Sequence, residues 1–343
     1  MWWNKAFAAW RLWNFHTSHV PGGKRLIKIN IDETRIGYFF TGGKGNVKAT
    51  KRSAPLRRVL RQRVPKSALR AGITHVAIVC DDPSLQPKLP QVLIANERVI
   101  PARCLGAIVD ALPDNVVLLR RKSGWNNTEL MCLVVELLGQ ALFRWAPDGF
   151  AVLLMDAARI HLHTAVLHAC ARWGIRVVPV PPHLTWLLQP LDTHVFAVFK
   201  RMLSTEYQAR CGSVGVAVLP AAEWIDVVCL CIRRCVQGRR WGCAFDNNGF
   251  GERQLCVSAR VQRGLDFFSA AEQASTVPSL LELCELAPRR SRVDWLLMVQ
   301  ASSIPYSYNA AAPPVLPPRP ALRLGRLALA LRRRVAVAAF PSP

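Results

Sequence analysis

The stretch PHLTWLLQPLDTHVFAVFK, Pro182 to Lys200, sets one carboxylate, Asp192, at the junction of an extended segment and a helix. Just upstream, IRVVPV (Ile175 to Val180) is a short, nearly continuous apolar run, the pattern of a buried strand, and Pro181-Pro182 ends it. Downstream, Pro190 suits a first helical turn, where a missing N–H costs nothing. Val195, Phe196, Phe199, Met202 and Leu203 then recur at helical spacing. Asp192 belongs to that first turn, where the helix dipole favours its charge. Standing three, four and seven positions before Val195, Phe196 and Phe199, it is expected to lean toward the buried face and to require a cation.

The chain around this stretch has 343 residues, 51% of them hydrophobic, enough for a packed α/β body. A formal charge of +23 makes a polyanion the leading partner, with nucleic acid ahead of an acidic membrane. No apolar run approaches the ~18 to 20 residues of a membrane span. The opening MWWNKAFAAWRLWNFH lacks a signal-peptide cleavage site, so an intracellular protein is expected. Eleven cysteines, an odd number spread through helical and strand patterns, fit reduced core residues. Cys229, Cys231, Cys235 and Cys243 invite a zinc reading, but they lack paired C-x₂-C knuckles and three of them fit one helix, so packing is expected.

In order along the chain, Trp2, Trp3, Trp10 and Trp13 are expected to form an aromatic packing face on a short helix. LIKINID alternates, with Ile27, Ile29 and Ile31 on one side and Lys28, Asn30 and Asp32 on the other, which predicts a half-exposed strand; RIGYFFTGG continues or pairs with it. Lys44 to Arg70 hold ten lysines and arginines and no acid. They are expected to form a solvated loop whose Lys44, Lys48, Lys51, Arg52, Arg57, Arg58, Arg61 and Arg63 track phosphates. THVAIVCDD and LPQVLIAN read as a hairpin beside the Ile27 strand, and TELMCLVVELLGQAL as an amphipathic helix capped by Asn126, Asn127 or Thr128. AVLLM (Ala151 to Met155) reads as a buried strand with Asp156 directly at its carboxyl end. A helix with Leu162, Ala165, Val166, Ala169 and Trp173 on its apolar face follows, and Gly174 ends it before IRVVPV. Such a strand–helix–strand crossover sets its two strands side by side, so Asp156 and the segment leading to Asp192 should leave the same sheet edge.

Three aspartates, one on a central strand, one at a neighbouring strand's end and one opening a helix, are what a two-metal phosphodiester site requires, because hard divalent cations take carboxylate oxygens. NIDETRI, LLMDAARIH and VPPHLTWLLQPLDTHVFAVFK resemble the three catalytic blocks of DDE-superfamily endonucleases of the pogo, Tigger and jerky type. Pro181, Pro182, Thr185, Gln189, Pro190, Leu191, Asp192, Phe196 and Lys200 stand in the family order, and Asp156 precedes Asp192 by 36 positions. The LPQVLIAN strand, SGWNNTELM and FDNNGFGE match in texture, so the resemblance covers roughly Leu26 to Glu252. It implies an RNase H-like fold, with Asp32, Asp156 and Asp192 as Mg²⁺ or Mn²⁺ ligands for cutting and joining DNA. His161, Gln189 and Lys200 would have supporting roles.

Two departures stand out. Ala157 occupies the place of the asparagine that usually follows the second aspartate, and only 31 residues precede Asp32, too few for the family's helix-turn-helix module. The expected organisation is a Trp-rich segment (1–25), an RNase H-like mixed sheet flanked by helices (26–252), a helical extension (253–302) and a disordered tail rich in proline, alanine and arginine (303–343). The expected protein is a nuclear, transposase-derived endonuclease, with DNA as partner, no membrane, and self-association left open. The rival expectation is a domesticated, non-catalytic DNA-binding protein of the same fold.

Overall fold

A computed structural model describes residues 2–38, 72–216, 218–251 and 258–261. The eight cations expected to track phosphates, the tail and, apart from 258–261, the expected helical extension lie outside the described residues.

Helix α1 (Trp2–Ser18) leads into β1 (Arg25–Gly37), which continues through RIG rather than turning back. β2 (Gly72–Cys80) and β3 (Gln91–Asn96) form the expected hairpin. Next come α2 (Leu105–Ala111), β4 (Val116–Arg121) and α3 (Thr128–Trp145). The crossover consists of β5 (Gly149–Asp156), α4 (Thr164–Arg172) and β6 (Arg176–Val180). The short α5 (Thr185–Leu188), a π-helical turn (Leu191–Val195), α6 (Phe196–Val214), α7 (Ala221–Cys231), a second π-helical stretch (Ile232–Gln237) and α8 (Gly242–Asn247) complete the described body. Among the described residues no helix is long and apolar enough to cross a membrane.

The six strands lie in the order β4-β3-β2-β1-β5-β6. β2 is antiparallel to both β1 and β3, while β1–β5, β5–β6 and β3–β4 are parallel. Every strand except β2 therefore points the same way, and five carboxyl ends share one edge. This is the RNase H-like mixed sheet flanked by helices. β4 was not anticipated; VVLL is its apolar signal, and α2 supplies the crossover its parallel pairing requires.

Helices cover both faces. α3 and α4 pack on the side of Ile27, Ile29, Ile31, Leu153 and Met155. Trp10 and Trp13 of α1, with α6 and α7, pack on the side of Val152, Leu154, Val178 and Val180. β1 is thus not half-exposed: Lys28, Asn30 and Asp32 are buried as well, because the second helical layer covers their face. The apolar face of α4 also shifts from the expected one, with Val166, Leu167, Ala169 and Cys170 buried while Ala165 is exposed. Asn127 is the α3 cap and accepts the Leu130 N–H at 2.9 Å, a bond worth about 1 kcal/mol. Cys229, Cys231 and Cys235 are buried free thiols, as packing requires, and burial pushes the first two up to about 12.

Candidate active site at the carboxyl edge of the sheet

The register of the parallel strands assembles the acids. Asn30 pairs with Leu154 across β1 and β5, so Asp32 and Asp156, each two residues further on, occupy neighbouring positions on one face. Asp156 in turn pairs with Val180, the last residue of β6, from which the chain enters the Asp192 segment. Asn30 ties that segment down: its Nδ2 donates to the Leu154 carbonyl at 3.0 Å and its Oδ1 accepts the Leu191 N–H at 2.8 Å. Gln189, fully buried, reaches the Ile31 carbonyl from the same turn at 3.5 Å.

Asp192 lies on the π-helical turn that opens α6, as expected for a helix start, but it is exposed instead of leaning into the core. The π turn shifts the phase of the helix, so Leu191 and Val195 take the buried positions. Thr193 Oγ1 accepts from Asn248 Nδ2 at 2.8 Å, and His194 Nε2 meets Asn247 Nδ2 at 3.3 Å, so FDNNGFGE braces this turn from behind. Lys200 is exposed further along α6, with its Nζ 5.7 Å from the Phe196 ring centroid.

The acids act on one another's titration. Burial raises the Asp32 carboxyl well above the usual carboxylate range, and the neighbouring charges of Asp192, Asp156 and Glu33 raise it further. Asp192 is raised by burial and by Asp156, with opposition from a Thr185 hydrogen bond and the Lys200 charge. Asp156 behaves differently: burial would raise it, but the His161 hydrogen bond and charge win and leave it lowered. His161 is itself buried, which would lower its pKa, yet hydrogen bonds to Asp156 and Glu33 raise it to about 10. An imidazolium therefore bridges two carboxylates, with Nδ1 on Asp156 and Nε2 on Glu33 at 3.0 Å. Glu33 lies on the opposite face of β1 from Asp32, also accepts from Asn126 Nδ2, and so connects the α3 cap region to Asp156.

The donor set suits a hard divalent cation. Three carboxylates crowd one edge, and their mutual repulsion is what such an ion would relieve. As they stand, no three His, Cys, Asp or Glu groups among the described residues are gathered tightly enough to coordinate one ion; the hydrogen bond to His161 commits one Asp156 oxygen. Sequence reasoning missed Glu33, Asn30 and Asn126. Each sits within two residues of a recognised motif position, and Asn30 shares the strand face of Asp32, which is the signal that could have found it.

No protein-family profile matches the sequence, and no curated protein sequence matches it. Solved structures similar to the chain include a Mos1 transposase paired-end complex with the left transposon end (16% identity, TM-score 0.33, covering 73% of this chain and 63% of that one). A Mos1 mariner paired-end complex with Mn is similar at 16% identity and TM-score 0.35, covering 72% and 62%. A pre-cleavage Mos1 transpososome is similar at 15% identity and TM-score 0.32, over the same shares. The chain thus spans a little under two thirds of the length of these transposase chains.

Proposed function

We propose that this chain is a transposase-derived, metal-dependent DNA endonuclease and strand transferase of the pogo, Tigger and jerky type, acting in the nucleus. The observation that supports the reading is the register of β1, β5 and β6, which brings Asp32, Asp156 and the start of the Asp192 segment to one edge of the sheet. Bound Mg²⁺ or Mn²⁺ would supply stabilisation of the attacking and leaving oxygens of an in-line displacement. Asp32, central and buried, would hold it together with Asp156 and Asp192. His161 and Glu33 orient Asp156, the Asn30–Leu191 bond fixes the Asp192 turn, and Lys200 supplies charge for a phosphate beside Asp192. The +23 net charge and the cation-rich 44–70 stretch support DNA as the substrate.

Nicking of supercoiled plasmid in Mg²⁺ tests this. Asp156→Ala and Asp192→Ala are each expected to lower the rate on the order of 100-fold or more; a wild-type chain no faster than either variant sinks the enzyme reading. One observation favours the alternative of a non-catalytic DNA-binding protein of the same fold: the hydrogen bond from His161 to Asp156 leaves the acids short of a closed coordination sphere. That alternative predicts salt-sensitive DNA binding without nicking.

A further inference from the structure

Two large apolar side chains stand exposed at the edge that carries the acids: Trp125 (68% exposed) and Trp186 (53%). The topology puts them there. Trp125 follows β4 and Trp186 follows β6, both strands whose carboxyl ends point to this edge. Each adjoins a residue that holds the acid centre, Asn126 on Glu33 and Thr185 on Asp192. Each also has an arginine beside its ring, with Arg35 at 5.8 Å from the Trp125 centroid and Arg260 at 5.9 Å from that of Trp186.

The Trp186 ring is held rather than loose. Its Nε1 donates to the His183 carbonyl at 2.9 Å, its own carbonyl accepts from Arg260, and His183 has φ 66°, a left-handed backbone few non-glycine residues adopt. Among the described residues the other exposed aromatics, Phe143 and Trp145, stand in the last turn of α3 at the opposite edge, so exposure together with proximity to the acids distinguishes these two tryptophans.

We propose that Trp125 and Trp186 are stacking posts for unpaired bases, one on the β1 side of the acids and one beyond β6. On the endonuclease reading, on which this placement rests, the substrate is then DNA whose strand is unpaired beside the reacting phosphodiester. Every base has a π-face that an indole can cover, and the adjacent guanidiniums add cation–π contact and charge for the backbone. In paired duplex those faces are stacked away and unavailable.

The test is binding of the full chain, in EDTA so that no strand is cut, to a labelled oligothymidylate of about 16 nucleotides and to a duplex of the same length. Trp125→Ala and Trp186→Ala are each expected to weaken single-strand binding by roughly 5- to 150-fold, with duplex affinity and the salt dependence unchanged. The corresponding Phe variants should retain most of the affinity. Unchanged single-strand affinity in both Ala variants overturns the proposal, as does an equal loss on duplex. So does altered sedimentation of the free variants with DNA affinity intact, which would make the patch a protein interface. Failure of plasmid nicking with Trp-dependent binding preserved removes the nuclease reading alone; nicking with Trp-independent binding removes the stacking posts alone.

Discussion

At the scale of single residues, Asn30 does the most with the least. From inside the sheet it bonds the strand that ends in Asp156 and the turn that carries Asp192. A buried amide with these partners is satisfied, and a hydrocarbon in its place would leave the Leu191 N–H without one. His75 is a different buried polar residue. Its Nε2 meets Gln91 Oε1 at 3.0 Å, its Nδ1 has no partner among the described residues, and burial lowers its pKa to about 4. His16, also buried, is lowered to about 3. Both are neutral in the folded chain, so the stability they allow is full above pH 6.5 and is lost as pH falls from 6.5 toward 4, where only the unfolded chain takes up the protons. Urea unfolding across that range should show the loss, and His75→Leu should flatten it by on the order of 3 kcal/mol between pH 7 and 4. An unchanged slope in the variant would rule His75 out as a source. Asp156 and Asp192 were singled out because each stands at a change of hydrophobic pattern, and Asp32 through the resemblance of NIDETRI to a catalytic block. Asn30 was not, because a polar residue alternating with isoleucines reads as solvent-facing until the second helical layer is known to cover it.

Among elements, the pairing of α3 and α4 turns on Gly139. A Cβ there would come within 2.2 Å of the Trp173 ring, and that ring is held by its Nε1 bond to Glu136 at 2.9 Å. Gly139→Ala should therefore destabilise the fold by about 1 to 3 kcal/mol through overpacking, even though alanine favours the helix by about 1 kcal/mol. A raised urea midpoint would show that Trp173 moves aside freely. In TELMCLVVELLGQAL this glycine looks only like a weak point of a helix, since no local pattern reveals which ring will lie across it. Most elements were readable from periodicity: the β2–β3 hairpin, α3, and the β5–α4–β6 crossover with Gly174 at φ 68° ending its helix. β4 escaped because its signal is four apolar residues. The outward position of Asp192 escaped because an extra residue in the turn breaks the phase that 3.6-residue counting assumes.

For the molecule as a whole, α1 is a structural part of the candidate site although it contributes no acid. Trp10 donates its indole N–H to the Asn248 carbonyl at 3.0 Å, Trp13 packs edge-on against Phe250, and Asn248 holds Thr193 beside Asp192. Trp10→Ala is expected to cost about 3 to 5 kcal/mol. It should also speed hydrogen exchange in the 191–195 turn more than in β2; a uniform loss of protection would mean that Trp10 stabilises the fold without bracing the turn. Trp10 and Trp13 of the expected aromatic face are buried, the side chains of Trp2 and Trp3 lying outside the described residues, whereas the partner of Trp10, more than 230 residues away in FDNNGFGE, was not legible. The direction of β2 has one more consequence. Gly37 pairs with Gly72, so the chain leaves and re-enters the sheet at a single point on the acid-bearing edge. Covalent geometry then limits every residue between those glycines to within about 60 Å of the Gly37–Gly72 pair, at ~3.4 Å per residue along half the span. The ten lysines and arginines of that stretch are thus covalently tethered at both ends to the acid-bearing edge, a linkage that dilution of the protein does not alter.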